Sequence, residues 1–175
     1  MRITILYLFL ILSFIGKTQS NYEQVSFSGI GNIKLGMNIN EVEKVIGQPV
    51  KLHKSLLVAD FVDTVEIGFK NIDLTVIFML TYNNEQSHKI VVNSIKSRSS
   101  IIKTKSGIGI GNDKCKIVST YQGFEIKLYP EYENDNSISK IRSTIVLADG
   151  FKLIIFSLIN NRVDSMEVTN DESVE

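Results

Sequence analysis

The sequence predicts an α+β fold of two tandem repeats, each a short helix or helix-loop-helix packed on an antiparallel sheet. Three observations carry this expectation. A stretch of the first half recurs in the second. Only two segments carry helix start signals, and both are short. Seven runs rich in Val, Ile, Phe and Tyr read as strands.

The recurring stretch is SGIGNIKLGMNINEVEKVIGQP, from Ser28 to Pro49, and SGIGIGNDKCKIVSTYQG, from Ser106 to Gly123. Ser-Gly-Ile-Gly is identical in both. With three residues deleted after it, Gly36 falls on Gly111, Asn38 on Asp113, Val42 on Ile117 and Ile46 on Tyr121. Each copy reads as strand, turn, short helix, turn.

In the first copy Asn38 is a suitable N-cap, because its side-chain oxygen can accept from a free N–H of the first turn. Glu41 completes a capping box, and Met37 can staple onto Val42. Val42, Val45 and Ile46 fall on one helical face. Gly47 suits a left-handed C-terminal residue, and Pro49 stops continuation. In the second copy Asp113 takes the cap, with Ile117, Thr120 and Tyr121 facing inward. Lys116 stands where the capping-box Glu would be, so this start is weaker. Helices of two to three turns do not persist alone in water, so both must lie on something.

The strands are expected at 61–69, 72–82 and 89–96 after the first helix. After the second they are expected at 124–129, 140–148, 151–159 and 162–168. Asn83-Asn84, Asp149-Gly150 and Asn160-Asn161 mark turns between antiparallel neighbours. Ile72, Leu74, Val76, Phe78 and Leu80 share one face, opposite Asp73, Thr75, Ile77, Met79 and Thr81. One sheet face is therefore apolar and covered by helices. The other is mixed, either solvated or a partner surface. Residues 133–140 read as a polar loop.

Residues 1–20 read as a secretory signal peptide. Arg2 supplies the positive region, and residues 3–15 are apolar apart from Thr4 and Ser13. Thr18 and Ser20 are the small residues wanted before cleavage, which is expected between Ser20 and Asn21. The apolar run is shorter than the roughly 20 residues of a spanning helix. No cysteine follows it to take a lipid. The expected division is a leader at 1–20, a first repeat at 21–98 and a second at 99–175. The protein is expected to be exported, either periplasmic or secreted, with no transmembrane segment in the mature chain.

The whole chain carries 19 basic and 19 acidic side chains. Without Arg2 and Lys17 the balance is −2, which excludes a strong electrostatic footprint for nucleic acid. Cys115 is the only cysteine, so no internal disulfide can form.

The segment IKLGMNINEVEKVIGQP resembles the Leu-Gly-Met…Glu-Val…Gly-x-Pro signature of the small lipoproteins of the outer-membrane β-barrel assembly machinery. It also resembles the wider superfamily that includes the secreted β-lactamase inhibitory proteins. The resemblance implies tandem helix-and-sheet repeats whose sheets form one concave surface that grips another protein. This chain departs from both groups: it has no lipidated cysteine and no disulfides. No contact residue is carried across from either.

The glycine run does not fit a nucleotide site. Gly107, Gly109 and Gly111 are followed by Asn112 where a dinucleotide fingerprint needs glycine, and no Gly-Lys-Ser/Thr follows. Asp113 at the helix start repels phosphate. Glycine here serves tight turning and close backbone approach. His53 and His88 have no second ligand at metal spacing.

Cys115 sits in a first helical turn beside Lys114 and Lys116, a setting that favours a reactive thiol. A half-packed small residue is the plainer reading. The carboxylates Glu131, Glu133 and Asp135, and Asp171, Glu172 and Glu175, read as solvated. Tyr129 and Tyr132, around Pro130, are candidates for a partner surface.

These readings converge on an exported, non-enzymatic module that binds another protein through the open sheet face and adjoining loops, needing no cofactor. Two alternatives stand beside it. One is a small hydrolase or thiol-dependent enzyme using His53 or Cys115. The other is a carrier of small apolar ligands.

Overall fold

The computed structural model describes residues 23–53, 62–82, 88–133 and 136–171. The expected leader with its Ser20–Asn21 cleavage site, the expected Asn83-Asn84 turn, Asp135, Glu172 and Glu175 lie outside them.

The first half forms β1 (Glu23–Ser26), β2 (Gly29–Ile30), β3 (Ile33–Lys34), α1 (Ile39–Ile46), β4 (Val62–Phe69), β5 (Ile72–Tyr82) and β6 (His88–Ser97). The second forms β7 (Ile102–Thr104), α2 (Lys114–Thr120), β8 (Glu125–Tyr132), β9 (Ile138–Asp149), β10 (Lys152–Ile159) and β11 (Arg162–Asn170).

The predicted fold class is corrected by this architecture. Among the described residues the protein is mostly β, with 59% in strands and 11% helical, in two sheets. It is not a tandem helix-plus-sheet fold. α1 has eight residues and α2 seven, and neither forms a helix-loop-helix among the described residues. Two turns of helix bury too little surface to roof a sheet. That role falls largely to strands that the sequence reading did not count as a sheet of their own. β1, β2, β3 and β7 form a four-stranded sheet in the order β3-β2-β1-β7, with β1 parallel to β7.

The other sheet has seven strands in the order β4-β5-β6-β11-β10-β9-β8. Every neighbouring pair is antiparallel. β6 and β11 join at its centre, so the sheet runs unbroken from one half of the chain to the other.

Its registers define continuous cross-strand rows. One core-facing row is Val65–Val76–Ile95–Val168–Ile154–Leu147–Ile126. All of these are buried except Ile126, which packs partly buried at the end. Against this face lie Val25, Ile30, Ile33, Ile102 and Ile108 of the small sheet and its turns, with Val42 from α1 and Ile117 from α2. Burying a side chain of this size contributes roughly 1.5–3 kcal/mol, so these rows are the main source of stability.

Local chemistry agrees with the sequence at the caps. Asn38 accepts from the Glu41 N–H at 3.1 Å, and the Glu41 carboxylate accepts from the Asn38 N–H at 2.8 Å. Gly47 ends α1 with φ +73°. Asp113 caps α2 by accepting from the Cys115 N–H at 2.8 Å. Asn160 and Asn161 both have positive φ, as does Gly150, which suits tight hairpin turns. Lys70-Asn71 forms a further turn with positive φ at both residues, not anticipated because Lys carries no turn signal. β8 runs through Pro130 to Tyr132 and β9 begins at Ile138, so residues 138–140 of the expected polar loop are strand.

Candidate functional site

The aligned glycines of the two copies do the same backbone work. The Gly36 N–H donates to Val92 O at 2.8 Å, and the Val92 N–H donates to Met37 O at 2.8 Å. The Gly111 N–H donates to Val163 O at 2.8 Å, and the Val163 N–H donates to Asn112 O at 2.9 Å. Both glycines have left-handed φ, +81° and +82°. Each copy thus hooks one edge of β6 or β11 just before a short helix.

A register shift follows each hook, leaving Asn93 and Asp164 as the extra residues. Val92-Asn93-Ser94-Ile95 and Val163-Asp164-Ser165-Met166 therefore match in sequence and in place. This second correspondence is not evident along the chain, because its spacing differs from that of the glycine copies.

The glycine run 107–111 is occupied by its own chain. Thr104 and Ile108 bond through Thr104 N–H to Ile108 O at 2.8 Å, and the Gly109 N–H donates to the Asn112 side chain at 2.9 Å. A Cβ on Gly109 would lie 2.6 Å from Ile102 O. Close approach is what this glycine permits.

His53 and Cys115 are not brought together. His53 stands beside β4, with its Nδ1 3.5 Å from the buried Asp63 carboxylate and its side chain 71% exposed. Its groove, about 380 Å³, is lined by Ile46, Pro49, Val50, Thr64 and Glu66 among others, with neither serine nor cysteine among the described residues. Cys115 is exposed on α2, whose cap Asp113 bridges to Arg162 of β11, three strands away from β4. Among the described residues, no group of three His, Cys, Asp or Glu side chains could hold a metal. No helix among them is long and apolar enough to cross a membrane.

The broadest surface is the other face of the large sheet. One row on it is Thr64–Ile77–Ser94–Thr169–Leu153–Ala148–Glu125. The next is Glu66–Thr75–Lys96–Glu167–Ile155–Val146–Lys127. Ile77, Met79, Leu153 and Ile155 are half-buried there. A shallow groove of about 430 Å³ crosses the middle, lined by Ile77, Met79, Leu153, Ser94, Glu167 and Thr169 among others.

Its polar groups are tied down. The Ser94 hydroxyl donates to Glu167 at 2.6 Å, Lys96 lies 3.9 Å from the same carboxylate, and Thr75 donates to Glu66 at 2.9 Å. The arrangement is an apolar strip with fixed, charge-paired polar neighbours.

Tyr129 and Tyr132 both lie on β8, 49% and 61% exposed. They do not stand alone. Of ten large apolar side chains exposed among the described residues, nine follow residue 110. Phe124, Leu128, Ile138 and Ile141 join the two tyrosines along the β8–β9 end. A groove of about 350 Å³ there is lined by Leu128, Pro130 and Ile141, with Lys114 and Arg142 at its borders. Leu128 sits on the core-facing row beside Ile145 yet is exposed, because the covering layer stops short of this edge. Alternation alone places such a residue in the core; only the extent of the covering layer reveals it.

No family model, no curated protein and no solved structure matches this chain.

Proposed function

We propose that this chain is an exported, non-enzymatic module that binds another protein through the open face of its seven-stranded sheet and the adjoining β8–β9 end. The observation that carries this reading is the continuity of that face. Rows run across all seven strands, with Ile77, Met79, Leu153 and Ile155 near the centre and paired charges around them. An apolar centre with a polar border is the pattern of protein interfaces, and exposed tyrosines strengthen it. The leader-like residues 1–20 and the signature resemblance at 33–49 support the same reading.

The test compares the wild-type protein with Ile155→Lys and Met79→Lys as baits for crosslinking in envelope and secreted fractions. Retention of a defined partner by the wild type, lost in both variants while circular dichroism is unchanged, supports the reading. Equal retention by the variants, or no retained partner, overturns it.

A further inference from the structure

The seven-stranded sheet ends at β4 and β8, and among the described residues β8 is the edge strand that gathers exposed apolar side chains. We propose that β8 pairs with β8 of a second copy of this chain, antiparallel and centred on Ile126.

The backbone is phased for this. The Asn160 N–H donates to Ile141 O at 2.7 Å, so odd-numbered β9 residues in this ladder bond toward β10. Even-numbered β9 residues then bond toward β8, and their partners there are Glu125, Lys127 and Tyr129. The backbone groups of Ile126, Leu128 and Pro130 are left facing the free edge. Pro130 has no N–H to offer, so the edge is blunted at that end and competent only before it.

The side chains favour one register. Antiparallel self-pairing centred on Ile126 sets Glu125 opposite Lys127 of the second copy, twice by symmetry. It also sets Leu128 opposite Phe124, both 47% exposed in one chain; the Phe124 N–H is held by Tyr121 O at 2.8 Å, so the bond there runs from the Leu128 N–H to Phe124 O. Ile126 faces its own counterpart. Within one chain Glu125 and Lys127 already lie 3.1 Å apart on one face, both well exposed, so each can be shared with the second copy. Pairing centred on Tyr129 would also oppose Lys127 to Glu131. It would place Leu128 against Pro130, whose missing donor removes two ladder bonds, and it lacks a bonded central pair, because the Tyr129 backbone points to β9 while that of Ile126 points outward. A two-fold axis through Ile126 stands perpendicular to the sheet, so the two open faces would join on one side as one doubled surface.

The test is sedimentation equilibrium of the purified protein from about 1 to several hundred µM, the range of a modest interface. The wild type is expected to reach twice the single-chain mass, less readily at high salt. Lys127→Glu opposes like charges twice and is expected to weaken association about tenfold or more. The double variant Glu125→Lys with Lys127→Glu restores the complementarity, and with it the dimer. Leu128→Pro removes an edge-facing donor and abolishes pairing. Circular dichroism of each variant confirms folding. A wild type monomeric throughout overturns the proposal, as does a dimer indifferent to Lys127→Glu. Rescue by Lys127→Glu with Glu131→Lys, in place of the first double variant, overturns the register. The open-face variants Ile155→Lys and Met79→Lys leave β8 intact, so loss of partner binding and loss of self-association are separable.

Discussion

The Tyr121 hydroxyl donates to Thr104 Oγ1 at 2.6 Å, in a place where both side chains are buried. Thr104 Oγ1 also accepts from the Ile108 N–H at 3.1 Å. This pair ties the end of α2 to β7 and to the first turn of the glycine run. The Tyr121 ring meanwhile packs edge-on to Phe124, with centroids 5.7 Å apart, and against Phe156 at 6.3 Å. Tyr121→Phe keeps the packing and loses one hydrogen bond. It is expected to cost about 1 kcal/mol in chemical denaturation. Tyr121→Ala also opens a cavity and is expected to cost about 3–5 kcal/mol. If the two variants are equally stable, the packing account is wrong.

Gly109 and Gly111 separate two reasons for glycine. Gly109 has no positive φ, but its Cβ would meet Ile102 O at 2.6 Å. Gly109→Ala must displace backbone, and a loss of about 1–3 kcal/mol is expected. Gly111 has open space and φ +82°. Gly111→Asn, which tolerates left-handed backbone, should lose less than Gly111→Ala, itself about 1 kcal/mol. Thermal unfolding of the three variants checks the order. Millimolar phosphate, matched for ionic strength, should leave the wild-type midpoint unchanged; a rise would return the run to anion binding.

Asn38 holds a reciprocal cap with Glu41. Asn38→Ala is expected to cost about 1 kcal/mol, and Asn38→Asp much less, since either oxygen can accept. Hydrogen exchange at the Glu41 amide should quicken in the alanine variant first. Unchanged exchange there would show that tertiary contacts alone hold α1.

At the far end of β8 the Ser139 hydroxyl bond holds the Glu133 carboxyl below its ordinary range; some loss of hydration opposes this, and Arg142 adds to the lowering. A depressed folded value means that any stabilisation is present above the unfolded carboxylate value and is lost as pH falls through the folded one. The group is solvent-exposed, so the effect on global stability is small. NMR titration of the Glu133 carboxyl carbon should show a midpoint below the usual glutamate value. Ser139→Ala should move it upward. A wild-type midpoint at or above the usual value contradicts the geometry.

Much of the local structure was legible in residues. Alternation along Ile72–Tyr82 places strand β5 with its bounds, because each inward residue is apolar over five repeats of the period. Asn38, Glu41 and Gly47 mark α1 because caps satisfy specific backbone groups near them in sequence. The hairpin at Asn160-Asn161 was legible because left-handed backbone selects few residue types. The bulges at Asn93 and Asp164 were not, since an extra residue shows only against its partner strand.

The sequence by itself determined where the seven long strands run to within a few residues, where short helices start, and which glycines turn or approach backbone; it did not mark β1. These depend on interactions within a few residues. Only the tertiary structure decided that β6 pairs with β11 to make one sheet, that β1 runs parallel to β7, and that Leu128 escapes the core. Those depend on pairings between residues as distant as Ser94 and Thr169, and on how far one layer extends over another. Residues that obey the same alternation then end in the core or at a free edge, according to what lies above them.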